Sequence, residues 1–251
     1  MTSQAIHTVR ESMSGRNRPP ASWAGLFSAG FGVRCAGCDR AGHVVCPTCR
    51  LALLASPVGV RPAVSVGPDG LIVAAPFTGR ARRVVHGLKF RNRRAVAAHL
   101  GGLLARRVVA AGLRPGVDIT AVTWAPTARA RRRRRGFDQA ELVARATARA
   151  LGVPAIRLLE RAPGSGPQTG ADLAARVAGP AFVSRRSRHR HLLLVDDVVT
   201  TGATLAAASG SLRTSGAVRV VCAAVAATPA PAVPARRAAG RPGGRDVPTA
   251  A

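Results

Sequence analysis

The sequence predicts a parallel-sheet α/β domain that carries a small four-cysteine unit near its N-terminus. Three observations predict it. Strand-like apolar runs alternate with segments of helical periodicity between residues 71 and 227, the order that builds βαβ units. The run His191–Val195 (HLLLV) is almost wholly apolar, as in a strand buried on both faces. Four of the five cysteines form two Cys-x-x-Cys pairs between Cys35 and Cys49.

The bulk properties narrow the function. The chain has 251 residues, enough for one domain with additions, and 47% of them are hydrophobic, which excludes wholesale disorder. No apolar stretch is long enough to span a bilayer, and Met1–Arg10 leads into no signal-like segment. A cytoplasmic, reducing location with no membrane span is the expectation. The formal net charge is +27, and Lys89 is the one lysine among 38 basic residues. Ala, Gly, Arg, Val and Pro are the residues GC-rich codons favour, so the charge argues less for a polyanionic partner than its size suggests. It still sets a field that draws phosphates.

Along the chain, residues 1–30 read as a flexible leader of Ser, Arg, Asn and Pro, 31–55 as the cysteine unit, and 56–228 as one α/β domain. Leu51–Leu71 is a Pro/Gly-punctuated connector, and Leu71–Phe77 (LIVAAPF) is a strand. Arg80–Phe90 carries Val84, Val85 and Leu88 at helical spacing. Arg94–Leu113 continues with Val96, Leu100, Leu103, Leu104 and Val108, making one helical region broken near Asn92. Asp118–Trp124 is a second strand, ended by Pro126. Residues 129–135 then read as an arginine-rich loop, because consecutive like charges repel and keep such a segment mobile until an anion arrives. Asp138 has the position of an N-cap, with Glu141 three residues on, for a helix that Gly152 and Pro154 stop near Leu151. Residues 162–172 are a Gly/Pro loop. His191–Val195, a tight loop at Thr200–Thr204, a helix at Ala203–Leu212 and a strand at Ala217–Ala227 complete the domain. Residues 229–251 read as a disordered tail.

The segment Leu192–Thr204 (LLLVDDVVTTGAT) concentrates chemistry. Only 11 acids exist in the chain, and Asp196-Asp197 is the one adjacent pair. Neighbouring carboxylates repel, so a folded site needs a reason to hold them together. The C-terminal end of a parallel strand is where open α/β sheets bind ligands. The following Thr200, Thr201, Gly202, Ala203 and Thr204 run into a helix N-terminus. Its N–H groups and dipole suit a phosphate, Gly202 allows close backbone approach, and the carboxylates suit sugar hydroxyls with a divalent cation. The plainer reading is a strand–turn–helix with solvated aspartates and a threonine cap.

Cys35, Cys38, Cys46 and Cys49 have the pattern of a closed tetrahedral metal site, structural rather than catalytic, with zinc the expected ion. Four reduced thiols is the alternative, and His43 between the pairs is an alternative fourth ligand. Cys222, in an apolar run, is a plain core residue. The six Phe and two Trp show no cluster on which bases would stack, which argues against an aromatic single-strand reader. Any nucleic acid would be held by charge.

The string Leu192–Thr204 resembles the 5-phosphoribosyl-1-pyrophosphate (PRPP) motif of type I phosphoribosyltransferases. With the preceding cysteines, the chain resembles the competence protein F (ComF) family. His86–Phe90 (HGLKF) is similar to that family's LKF segment, Arg135–Leu142 (RGFDQAEL) to its RGFNQAELL signature, and Gln168, Arg176 and Phe182 to its Q…R…F loop. The resemblance implies a type I phosphoribosyltransferase fold, Rossmann-like, with an N-terminal zinc ribbon. It implies that Asp196 and Asp197 are catalytic, binding the ribose hydroxyls, and that Val199–Thr204 hold the 5′-phosphate. Lys89, Arg135, Gln139, Gln168 and Arg176 would also bind substrate. It further implies structural zinc, Mg²⁺ with PRPP, and either phosphoribosyl transfer to a nitrogen acceptor or a non-catalytic role in natural transformation. The partners in that second role are single-stranded DNA and a competence helicase. Three positions depart from the pattern: Asp138 for Asn, Trp124-Ala125-Pro126 for Pro-Val-Pro, and Gly179 for Asn. The last two lie on the substrate side. Lys89 reads either as an ammonium the ligand requires or as a solvated lysine at a helix end.

Overall fold

The computed structural model describes residues 33–55, 68–90, 94–162 and 180–229. The leader 1–30, most of the connector, most of the loop 162–172, Gln168, Arg176, Gly179 and the tail beyond Thr228-Pro229 lie outside the described residues, as does the side chain of Lys89.

A four-stranded, fully parallel sheet forms the centre, in the order β1 (Leu71–Pro76), β6 (Arg219–Ala227), β5 (His191–Val199), β2 (Ala121–Trp124). The two central strands are buried on both faces, which is why HLLLV and Val220–Ala227 show no polar alternation. Helices α2 (Gly79–Phe90), α3 (Arg94–Ala110) and α5 (Gln139–Leu151) pack on one face with Leu193, Val195, Val221 and Ala223. The predicted apolar stripes Val84, Val85, Leu88 and Val96, Leu100, Leu103, Leu104, Val108 are all buried there. Helix α6 (Ala203–Thr214) covers the other face, with Leu205 and Leu212 against Leu192, Leu194 and Val220. An antiparallel pair, β3 (Leu159–Arg161) and β4 (Phe182–Ser184), borders this second layer.

The cysteine unit shares the first core. Helix α1 (Pro47–Leu54) starts from Cys46, and Cys35, Cys46, Cys49 and Leu53 belong to the same buried cluster as Val84 and Leu88. Cys222 is fully buried in β6, and burial pushes its thiol up to about 12.

Two expectations change. Residues 129–135 are a helix, α4 (Arg129–Arg135), not a loop: arginine is a good helix former, Gly136 takes the left-handed cap at φ 76°, and its N–H donates to Arg132 O. Helical geometry turns successive guanidinium groups into water, where repulsion costs only tenths of a kcal/mol per pair. The strand read as His191–Val195 extends to Val199, because β6 continues to pair with it as far as Val199↔Ala227.

Helices α3 and α5 touch closely at Gly101, where a Cβ would lie 2.5 Å from Ala146 Cβ and 2.7 Å from Thr147 N. Backbone cannot give way as a side-chain tip can. Gly101→Ala is therefore expected to lower unfolding free energy by about 1–3 kcal/mol in denaturant titration, despite alanine's better helix propensity. Equal stability would show that the two helices separate freely.

Candidate functional site

The predicted strand–loop–helix forms one continuous site at the C-terminal end of the sheet. Strand β2 ends opposite Val195, with Ala125 N donating to Val195 O at 3.1 Å, while β6 pairs four residues further. Asp196 and Asp197 thus lie where β5 has a neighbour on one side only, and both are partly exposed. Asp196 Oδ1 accepts from Asp197 N and Asp197 Oδ1 from Val198 N, each at 2.8 Å, which fixes the carboxylates against their own backbone. Val199 returns to the core. Thr200 and Thr201 are exposed, and Thr201 Oγ1 accepts from Ala203 N at 3.5 Å. Gly202 makes the turn at φ 80°, a left-handed conformation that L side chains resist, and its carbonyl accepts from Ala206 N at 2.9 Å. Ala203 and Thr204 open α6, so its first N–H groups and positive dipole end meet the acids across the turn.

A shallow cleft lies beyond the end of β2, next to the strand that carries the acid pair. Trp124, Pro126 and Thr127 at the end of β2 form its floor. Arg129 and Arg132 of α4, Asp138 and Glu141 of α5, and Arg157, Glu160 and Arg161 on and before β3 form its walls. Three of the chain's 11 acids meet four arginines here. Arg161 links the cleft to the acid pair. Burial lowers its basicity, nearby Arg131 lowers it further, and the charges of Asp196 and Asp138 work against that. Its Nε donates to Pro126 O at 3.0 Å, and its guanidinium lies 5.5 Å from the Phe182 ring centre.

Asp138 builds the cleft's corner. Its Oδ1 accepts from Ala140 N at 3.1 Å, the predicted cap, and its two oxygens also accept from Thr127 N and Thr127 Oγ1 at 2.8 and 3.0 Å. Burial raises its carboxyl above the ordinary value, and these donors oppose the rise. Glu141 pairs with Arg145 at 3.0 Å rather than completing a capping box. Asp138→Ala removes three accepted bonds at a buried position, so a loss of about 2–4 kcal/mol in thermal or denaturant unfolding is expected. A loss below about 0.5 kcal/mol would mean that this corner carries no stability.

The remaining predicted residues separate. Arg135 ends α4, and its Nη1 donates to Gln139 Oε1 at 2.9 Å. Gln139 is only 1% exposed, so it holds Arg135 from beneath. Lys89 falls in the last turn of α2. Arg157, Glu160, Arg161 and Thr127 escaped the sequence reading. Their signal was faint: a three-residue strand, and one Thr-Ala-Arg among many arginines.

The second constellation is the cysteine cluster. The sulfurs of Cys35, Cys38, Cys46 and Cys49 lie within 4.8 Å of one another, Cys38 Sγ and Cys46 Sγ at 3.6 Å. A tetrahedral ion with bonds of about 2.3 Å sets its thiolates about 3.8 Å apart, so the set fits a metal ion. Gly37 N and Cys46 N donate to Cys35 Sγ at 3.4 and 3.3 Å, the knuckle geometry. Burial tends to raise the Cys35 thiol, but the N–H groups of Cys46, Gly37 and Cys38 outweigh it and bring it to about 6. Burial pushes Cys49 up to about 12. Helix α2 grips the cluster: Arg80 Nη1 reaches Cys49 Sγ at 3.6 Å and Arg83 Nε donates to Gly37 O at 2.6 Å. Gly37 must stay small, since a Cβ would meet Cys49 Sγ at 2.7 Å. His43 is exposed and outside the group.

No protein-family model matches the chain. Among curated proteins it is similar to the DNA utilization protein YhgH of Salmonella typhimurium, 30% identical over 193 residues, 74% of this chain and 85% of that protein. The protein of the same name from Escherichia coli K12 is 28% identical over 193 residues, with the same coverage. Among solved structures, it is similar to an allosteric regulatory enzyme of purine biosynthesis at 22% identity and a TM-score of 0.35, covering 51% of this chain and 25% of that one. It is also similar to a purine phosphoribosyltransferase from Pyrococcus horikoshii at 13% identity and a TM-score of 0.29, covering 64% and 89%. The chain spans about a quarter of the first of these solved proteins. No helix among the described residues is long and apolar enough to cross a membrane.

Proposed function

The chain belongs to the ComF family, and on that premise we propose that it binds PRPP with Mg²⁺ and transfers the phosphoribosyl group to a nitrogen acceptor. One observation carries the reading: an acid pair at the open side of β5 faces the N-terminus of α6 across a left-handed glycine turn. Asp196 and Asp197 accept from the ribose hydroxyls, and Val199–Thr204 donate to the 5′-phosphate. Mg²⁺ bound with the ligand would supply charge neutralisation for its pyrophosphate. Arg129, Arg132, Arg157 and Arg161 surround the cleft beside the acids, where a departing pyrophosphate meets fixed positive charge. Arg135, seated on Gln139, stands at the end of the same helix. As a C–N bond forms at the anomeric carbon, the C–O bond to pyrophosphate breaks, and the protein's work is positioning and charge stabilisation. Lys89, Gln168 and Arg176 join the site in this proposal through the family motifs that carry them. The cysteines hold structural zinc, residues 31–55 forming a zinc ribbon ahead of the phosphoribosyltransferase-like domain 56–228.

A second reading is favoured by α4. Its exposed arginines suit a nucleic-acid backbone, in keeping with relatives named for DNA utilization and with a role in natural transformation beside a helicase partner. Calorimetric titration of PRPP·Mg²⁺ into the purified protein, beside the Asp196→Asn/Asp197→Asn variant, tests the first reading. Binding lost in the variant supports it, and equal binding in both overturns it.

A further inference from the structure

We infer that α4 is a two-faced anion helix, on which a diphosphate group in the cleft and a nucleic-acid backbone on the outer side weaken each other's binding. The inference rests on the proposed PRPP site for its physiological diphosphate.

Arg129 and Arg132 line the cleft; Arg131, Arg133 and Arg134 do not, and all five are exposed. At 3.6 residues per turn, Arg129 and Arg132 stand about 60° apart on one side of the helix, Arg133 stands about 40° from Arg129 on that same side, and Arg134 stands nearly opposite them. With its side chains the helix is roughly 10–12 Å across, which is the separation of its two faces. That is close to one Debye length, about 8 Å at physiological ionic strength, so an anion on one face changes the potential felt on the other. Its carrier is firmly seated: Arg132 N donates to Ala128 O at 3.0 Å, Gly136 caps it, and Asp138 pins Thr127 just before it. The two anions therefore compete for one rigid block of charge.

The outer face fits a phosphate backbone better than an acidic protein. Between Ala128 and Gly136 it offers guanidinium groups and no aromatic or large aliphatic anchor, the residues that dominate protein–protein affinity. Arginine's planar fork suits phosphate oxygens, and charge alone reads a repeating backbone. Linkage is reciprocal, so each ligand must weaken the other by the same factor.

The test measures a fluorescent 20-nucleotide oligonucleotide, single- and double-stranded, by anisotropy against the full chain. PRPP·Mg²⁺, pyrophosphate·Mg²⁺ or sodium sulfate is added at matched ionic strength. The expected result is a roughly three- to tenfold rise in oligonucleotide Kd with either diphosphate and not with sulfate, from like-charge repulsion within a Debye length. The same factor should appear in the Kd for PRPP when the oligonucleotide is present. Arg129→Ala/Arg132→Ala abolishes this coupling. Arg134→Ala weakens the oligonucleotide and reduces its salt slope by roughly 0.7 for the phosphate no longer neutralised, while PRPP binds as before. If PRPP fails to bind yet pyrophosphate still displaces the strand, the phosphoribosyl reading falls and this inference stands. An oligonucleotide that does not bind, an unchanged Kd with both diphosphates, or displacement by polyglutamate as effective as by unlabelled oligonucleotide overturns the inference.

Discussion

Replacing Asp196 and Asp197 with asparagine is expected to weaken PRPP·Mg²⁺ binding by at least about 100-fold. Each carboxylate accepting a sugar hydroxyl contributes a charge-assisted bond of about 1.5–3 kcal/mol, and the loss of two such bonds exceeds the roughly 2.8 kcal/mol that a 100-fold change requires. The variant should fold. Both side chains lie at the partly exposed end of β5, and the carboxylate bonds to Asp197 N and Val198 N are each open to an amide oxygen as well. Removing two negative charges from a chain of net charge +27 should, by long-range attraction alone, tighten binding of an anion. Loss of affinity therefore separates direct recognition of the sugar from the general field. Tighter or unchanged binding in the calorimeter would mean that the acids only shape the turn before Gly202.

The largest stability effect is expected from the cysteine cluster. The purified chain should contain one zinc per molecule. Cys46→Ser, or prolonged chelation, should remove the zinc and lower the unfolding midpoint by roughly 10–15 °C. A domain of this size shifts about 2–4 °C per kcal/mol, so this corresponds to about 3–5 kcal/mol, less than the 10–16 kcal/mol apparent for metal in an isolated finger because the core persists without it. The effect is global since Cys35, Cys46 and Cys49 sit in the same cluster as Val84, Val85 and Leu88, and α2 grips the knuckle through Arg80 and Arg83. Cys222→Ala, in β6, serves as control: a small loss of stability with no loss of metal. A metal-free protein whose midpoint Cys46→Ser leaves unchanged would mean four ordinary thiols.

Much of this architecture was legible because its signals are local. The apolar stripes of α2 and α3 recur every three or four residues, and each residue so chosen is buried. The cysteine pairs and the run from Leu192 to Thr204 carry their chemistry in adjacent positions, so spacing alone brings their atoms together. Even Asp138 was legible as a cap, since a cap bonds its own helix.

Other features depend on partners far away in the chain. Asp138 also holds Thr127, 11 residues back, which no helix pattern encodes. The β3–β4 pair joins three-residue strands, Leu159–Arg161 with Phe182–Ser184, too short to show alternation. Through that pairing Arg157, Glu160 and Arg161 reach the cleft. Strand β5 continues to Val199 only because β6 continues beside it, and the acids stay open only because β2 stops at Trp124. The arginine run became a helix when a left-handed cap at Gly136 and solvent screening outweighed the repulsion that suggested a loop. The alternation of strands and helices, the metal-type cluster and the acid–turn–helix could be read from the sequence, because each is signalled by residues close together in the chain. Only the tertiary structure decided which arginines wall the cleft and which face solvent, because that division comes from strand pairing and helix packing between residues the chain keeps far apart.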